Sequence, residues 1–218
     1  MPFFDSWSLD AWIVSSTEAC LIPSRAASIR QHMEMKDTLS VVTQCEAADF
    51  SLFSRVRVVP VNGNGPPVLE VTVKAAPSGD PEAFLVVSLR PYNPEGISFI
   101  NEVARSDAHA GSTVNREQEV ILSSPPELYF VSTYYEGDVF HKVRSGASGA
   151  AHHARCRVGM ASAAAAYSLD PNREREVTAR VSLGEDTDES QQPDPGLSAP
   201  EWSANLAGHS RLTMRDER

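Results

Sequence analysis

Phe84-Leu85-Val86-Val87-Ser88-Leu89, closed by Arg90, is apolar on both of its alternating faces. A strand with one wet face alternates apolar and polar residues, so this run predicts a central strand covered on both sides. Around it the dominant period is two. Leu69, Val71 and Val73 alternate with Glu70, Thr72 and Lys74; Val177, Ala179, Val181 and Leu183 alternate with Thr178, Arg180 and Ser182; Val56 and Val58 alternate with Arg55 and Arg57. Each reads as a half-buried strand with one polar face. Further strands are predicted at 11–14, 39–44, 97–101, 119–122, Leu128–Ser132 and 154–159.

Turn chemistry separates these runs. Asn62-Gly63-Asn64-Gly65-Pro66-Pro67 tolerates left-handed backbone and then supplies prolines that cannot join a ladder; Pro77-Ser78-Gly79-Asp80-Pro81 does the same, and Tyr92-Asn93-Pro94-Glu95-Gly96 closes another turn. Strands returning every 10–15 residues have the cadence of an antiparallel sandwich or barrel. The fold class is therefore all-β, and a large two-sheet antiparallel β-sandwich is expected over residues 1–183. Two stretches resist assignment. Residues 24–36 (SRAASIRQHMEMK) suit a helix or a strand, and 161–167 is alanine-rich, which favours a turn of helix between two strand-like runs.

At residue 184 the composition changes. Residues 184–200 (GEDTDESQQPDPGLSAP) hold five acids, no base and three prolines, and read as a linker. Residues 201–218 then turn amphipathic, with Trp202, Leu206 and Leu212 at helical spacing, and read as the start of a helical segment of a chain cut short before a second domain.

The chain has 218 residues, enough for one large domain or two small ones, with about 70% of the unfolded surface open to burial. Apolar residues make up 41% and charged residues 22%, ordinary values for a globular domain. Nineteen basic against twenty-nine acidic residues give a net charge of −10, which opposes binding to a phosphate backbone. No run approaches the length of a membrane helix, and the N-terminus carries Asp5 and Asp10 with no basic region, unlike a secretory signal. The three cysteines, Cys20, Cys45 and Cys156, are too few and too scattered for a disulfide framework, which points to free thiols in a reducing cytoplasm. Three lysines against sixteen arginines point to a GC-rich bacterial source.

Four groups bear on chemistry. His152, His153 and Cys156 place three soft ligands within five residues, but successive strand residues face opposite ways, so no metal site is expected. Ser145-Gly146-Ala147-Ser148-Gly149 lacks the spacing and the strand–helix setting of a nucleophile elbow. Glu127, Glu136 and Asp138 flank the strand Leu128–Ser132 as acids suited in type to glycoside hydrolysis, although an acidic protein supplies such sets by chance. Arg90, Tyr92 and Asn93 follow the most buried strand and offer a cation, a ring and an amide able to bond and stack on a sugar; the plain alternative is that Arg90 satisfies turn carbonyls and Tyr92 packs on the sheet rim. No cofactor is implied.

The stretch 85–100 (LVVSLRPYNPEGISFI) resembles the N-terminal β-sandwich domain of bacterial glucoamylase-like proteins, which carry a six-hairpin (α/α) catalytic barrel downstream. Three other segments agree in order: 24–31, where those proteins enter the sandwich; 157–180, like their last hairpin; and 202–216, like the segment before the first barrel helix. The resemblance implies a non-catalytic domain that packs beside a helical catalytic domain and has carbohydrate as its context. The family's catalytic carboxylates lie in the barrel, so no catalytic residue transfers to this chain. Two rival readings are a free-standing carbohydrate-binding module, with Tyr129, Tyr134 and Tyr135 as its platform, and a sugar-modifying enzyme on a sandwich, such as an epimerase.

Overall fold

The computed structural model describes residues 6–15, 19–35, 38–47, 49–60, 65–94, 96–146 and 151–184. Strands run from Ser8 to Ser182 and form two large antiparallel sheets and a separate two-stranded hairpin. The smaller holds, from edge to edge, Leu128–Ser132, Ser162–Ser168, Ala83–Arg90, Ser8–Ser15 and Cys20–Leu21. The larger holds His153–Arg155, Glu102–Arg105, Gly111–Val114, Gln118–Leu122, Arg175–Ser182, Val68–Ala75, Phe50–Val59, Leu39–Ala47 and Ser28–Met35. No helix among the described residues is long and apolar enough to cross a membrane.

The alternation read from sequence becomes the core. Leu69, Val73, Val177, Ala179 and Val181 of the larger sheet meet Ile13, Leu85, Val87, Leu89 and Tyr167 of the smaller one in a single apolar cluster. The Ala83–Arg90 strand is the middle of the smaller sheet, as its two apolar faces require. Leu85, Val87 and Leu89 face that core, whereas Val86 joins a second cluster with Trp12, Val14 and Phe130 on the outer face. A short helix, α1 (Val139–Arg144), seals this outer cluster with Val139 and Val143, one helical turn apart. Six residues are too few to show a helical period in sequence.

Several local expectations needed tertiary context. The open stretch 24–36 is a 3₁₀ turn, Pro23–Arg25, followed by the strand Ser28–Met35, which pairs in unbroken register with Leu39–Ala47. The alanine-rich stretch is the strand Ser162–Ser168, bonded on both sides, against Leu128–Ser132 and Ala83–Arg90. Two full ladders outweigh the few tenths of a kcal/mol per residue, roughly, by which alanine prefers helix. Its small side chains also fit a strand covered on both faces. The strand expected at 154–159 stops at Arg155, because Cys156 N turns to Asn101 O and Gly159 enters left-handed backbone at φ +70°. The strand expected at 97–101 reduces to the hairpin Tyr92–Asn93 with Gly96–Ile97 and a lone parallel bridge between Ile100 and Met160. The linker 184–200 and the segment 201–218 with Trp202, Leu206 and Leu212 lie outside the described residues, save Gly184.

Candidate functional site

A recess lies on the outer face of the smaller sheet, beside α1. Its volume is about 240 Å³, and its walls include Trp12, Ile22, Arg25, Arg90, Asp138 and Phe140. His141 and Arg144 of α1 complete the rim.

Strand pairing builds the floor. Ser8–Ser15 pairs with Ala83–Arg90 so that Ser8 opposes Arg90 and Asp10 opposes Ser88. Asp10, Trp12 and Arg90 thus share one face, with Asp10 a diagonal neighbour of Arg90. Arg90 Nη1 donates to Asp10 Oδ2 at 3.3 Å, and Arg90 Nη2 donates to Asp138 Oδ2. The guanidinium lies against two rings, 5.2 Å from the Trp12 centroid and 4.8 Å from that of Tyr92. Asp138 caps α1, accepting from Phe140 N at 2.9 Å. Phe140 meets Trp12 edge-on, centroids 5.5 Å apart.

Burial dominates the electrostatics. It pushes the Asp10 carboxyl above its ordinary pKa, although Arg90 pulls the other way. Burial also works against the charge on Arg90, but the bonds and charges of Asp138 and Asp10 prevail and hold its pKa up. Burial, reinforced by the charge of Asp138, raises the Tyr92 phenol.

Of the three residues singled out in sequence, Arg90 and Tyr92 come together and Asn93 goes elsewhere. Asn93 Nδ2 donates to Ser6 O at 3.3 Å, fastening the hairpin to the segment before the first strand. Only Arg90 lines the recess. Asp10, Trp12 and Phe140 escaped sequence reading, and Asp138 was singled out there only as an acid beside Glu127 and Glu136, because it takes strand register and the packing of α1 to bring the Ser8–Ser15 strand and α1 together at Arg90.

The other groups diverge. Glu127 accepts from Arg175 at 2.8 Å, at the start of the Leu128–Ser132 strand. Glu136 pairs with Lys142 at 3.0 Å beyond its far end, where Asp138 holds Arg90. A five-residue strand separates Glu127 from the other two by roughly 17 Å. His153 bonds Glu102 at 3.1 Å, while Cys156 is buried; among the described residues no set of three or more His, Cys, Asp or Glu is arranged to hold a metal. Tyr129 is buried, bonds Ser112 Oγ at 2.8 Å, and is pushed by burial to a pKa of about 12. Tyr134 and Tyr135 are exposed but meet at an interplanar angle of 82°, so they form no flat platform. Ser145 and Gly146 follow α1, and Ser148 lies outside the described residues.

No family model matches the sequence, and neither does any curated protein. Among solved structures the chain is similar in fold to a bacterial glucoamylase crystallised with acarbose, with a TM-score of 0.55 and 12% identity. The similarity covers 93% of this chain and 29% of that one, so the chain spans under a third of the glucoamylase.

Proposed function

We propose that this chain is a non-catalytic β-sandwich domain of a cytoplasmic, bacterial glycoside-hydrolase-like protein, and that it packs beside an (α/α)₆ catalytic barrel. The observation that carries the reading is the asymmetry of the likeness: nearly the whole of this chain corresponds to a minor part of a much longer glucoamylase. The site chemistry agrees. Glu127, Glu136 and Asp138 are each held by a cation of this chain, and Asp10 and Asp138 share Arg90. A general acid and a base or nucleophile must instead face a common substrate. The barrel would supply those carboxylates.

Purified protein offered maltose, trehalose and aryl glucosides tests this. No hydrolysis is expected; turnover that disappears in Glu127→Gln, Glu136→Gln or Asp138→Asn protein would refute it. Reading the coding sequence beyond Arg218 is a second check, with a run of barrel-forming helices as the expected result.

One observation favours a second reading, carbohydrate binding. The recess combines the Phe140 ring with the donors of Arg25 and Arg90, the mixture that holds a neutral sugar. Calorimetric titration with glucose and maltose decides it: heat of binding lost in Arg90→Ala protein supports a sugar site.

A further inference from the structure

Among the described residues the two main sheets present four edge strands, and three are blunted. Cys20–Leu21 has two residues. His153–Arg155 has three, with exposed basic or titratable residues at both ends. Leu128–Ser132 lies beside α1, whose Lys142 Nζ donates to Val131 O at 2.8 Å. The fourth edge, Ser28–Met35, is eight residues long, contains no proline or glycine, and is exposed over its first six residues. Among the described residues its ladder is with Leu39–Ala47 on one side alone.

The row of this strand on the interior side is Ile29, Gln31, Met33 and Met35, the side on which Ile29 opposes the core residue Cys45. The larger sheet overhangs the smaller one here, leaving Ile29 50% and Met33 74% exposed. An unpaired edge is ordinarily guarded by brevity, by proline, by a bulge or by an inward-pointing charge. This edge has none of these: its charges, Arg30 and Glu34 with His32 between them, all lie on the outer row.

The sequence of the edge complements itself. In an antiparallel pair, opposed residues both turn their backbone groups across the seam or both turn them away. A strand therefore meets its own copy only in registers centred on a residue. Centred on His32, Arg30 opposes Glu34 of the second copy at two symmetric positions, Ile29 opposes Met35, and Gln31 opposes Met33. Centring on Gln31 sets Arg30 against His32 and leaves Met35 outside the pairing. Centring on Met33 leaves Ile29 and Arg30 outside it. Arg30 has no ion pair among the described residues, while Glu34 is shared by Arg55 at 3.0 Å and His32 at 3.3 Å. Opposite charges facing across a seam favour that register, and like charges oppose it.

We propose that the chain pairs with a second copy of itself, antiparallel along Ser28–Met35 and centred on His32, joining two nine-stranded sheets into one. The proposal does not depend on the functional reading above.

Charge reversal and cross-linking test it. By sedimentation, wild-type protein is expected to be a reversible dimer at concentrations of about 100 µM. Arg30→Glu and Glu34→Arg proteins are each expected to associate about tenfold more weakly, since each sets like charges opposite one another twice. Mixed in equal amounts they are expected to form a heterodimer, because both seams then oppose Glu to Arg; this rescue also shows that neither variant is misfolded. His32→Cys brings two thiols to the dyad with Cα atoms about 4.5–5.5 Å apart, within disulfide reach, whereas Arg30→Cys leaves them about 14 Å apart. The first should cross-link under mild oxidation and the second should not. A wild-type monomer throughout, a dimer indifferent to the reversals, or cross-linking at position 30 rather than 32 would overturn the proposal.

Discussion

Arg90, at the end of the central strand of the smaller sheet, donates to Asp138, the residue that caps α1. One side chain thereby links the sheet to the helix that covers its outer apolar face. Replacing Arg90 with Ala is expected to cost about 2–3 kcal/mol of stability, because two carboxylates lose their partner and the contacts with Trp12 and Tyr92 go too. Urea unfolding measures this, and a loss under about 0.5 kcal/mol would show that the helix is held by its valines alone.

The two carboxylates on Arg90 are expected to behave differently. Asp138→Asn weakens both the charged bond and the cap, for a loss of about 1–2 kcal/mol. Asp10 has its pKa raised by burial, so at neutral pH its ionised form already favours the unfolded chain. Asp10→Asn should therefore be close to neutral at pH 7. The sign shows in the pH series. As pH falls through the raised folded pKa, the wild type gains stability from Asp10, and the Asn variant lacks that gain.

Glu70 lies between Arg57, at 2.6 Å, and Arg180, at 2.9 Å, spanning three adjacent strands of the larger sheet. Burial pushes its pKa up, yet the bonds from the two arginines win and hold it below the usual carboxylate value. A lowered folded pKa gives stability that is present above the unfolded value and lost as pH falls through the folded one. Glu70→Gln is expected to lose about 2 kcal/mol at pH 7 and to show a shallower acid limb below about pH 4.5. Thermal melts from pH 7 to 3 check both; parallel curves for the two proteins would remove Glu70 from the acid response.

Gly111 and Gly96 separate steric cost from backbone strain. Their φ angles are alike, +147° and +143°. A Cβ at Gly111 would lie 1.9 Å from Val120 O, whereas one at Gly96 would meet nothing within 4 Å. Gly111→Ala is expected to cost about 3 kcal/mol or more, and Gly96→Ala about 1 kcal/mol, strain alone. Comparable losses in the two proteins would refute the steric argument.

What could be read in advance follows from how local each signal is. The period-two runs beginning Leu69-Glu70-Val71 and Val177-Thr178-Ala179 are local statements of which face is dry, and the all-β class followed from them. The alanines of Ser162–Ser168 show the limit. Their intrinsic preference is helical, and only the two flanking ladders make them a strand. Arg90 was visible as an arginine after a buried strand. Asp10 and Trp12 were not, because their places beside it depend on a pairing across about eighty residues. Asn93, adjacent in sequence to Tyr92, is turned toward Ser6, since neighbours in a strand point opposite ways.

The position of Arg175–Ser182 has a consequence for biosynthesis. This strand, the last in chain order among the described residues, sits between Val68–Ala75 and Gln118–Leu122. Before it leaves the ribosome, the larger sheet exists as two unconnected meanders, each with a bare inner rim. The emerging chain must keep those rims from seizing other partners for the time it takes to translate the intervening residues. The strand is a keystone delivered after both of its neighbours, and its emergence from the ribosome, rather than any earlier pairing, sets the moment at which the sheet can close.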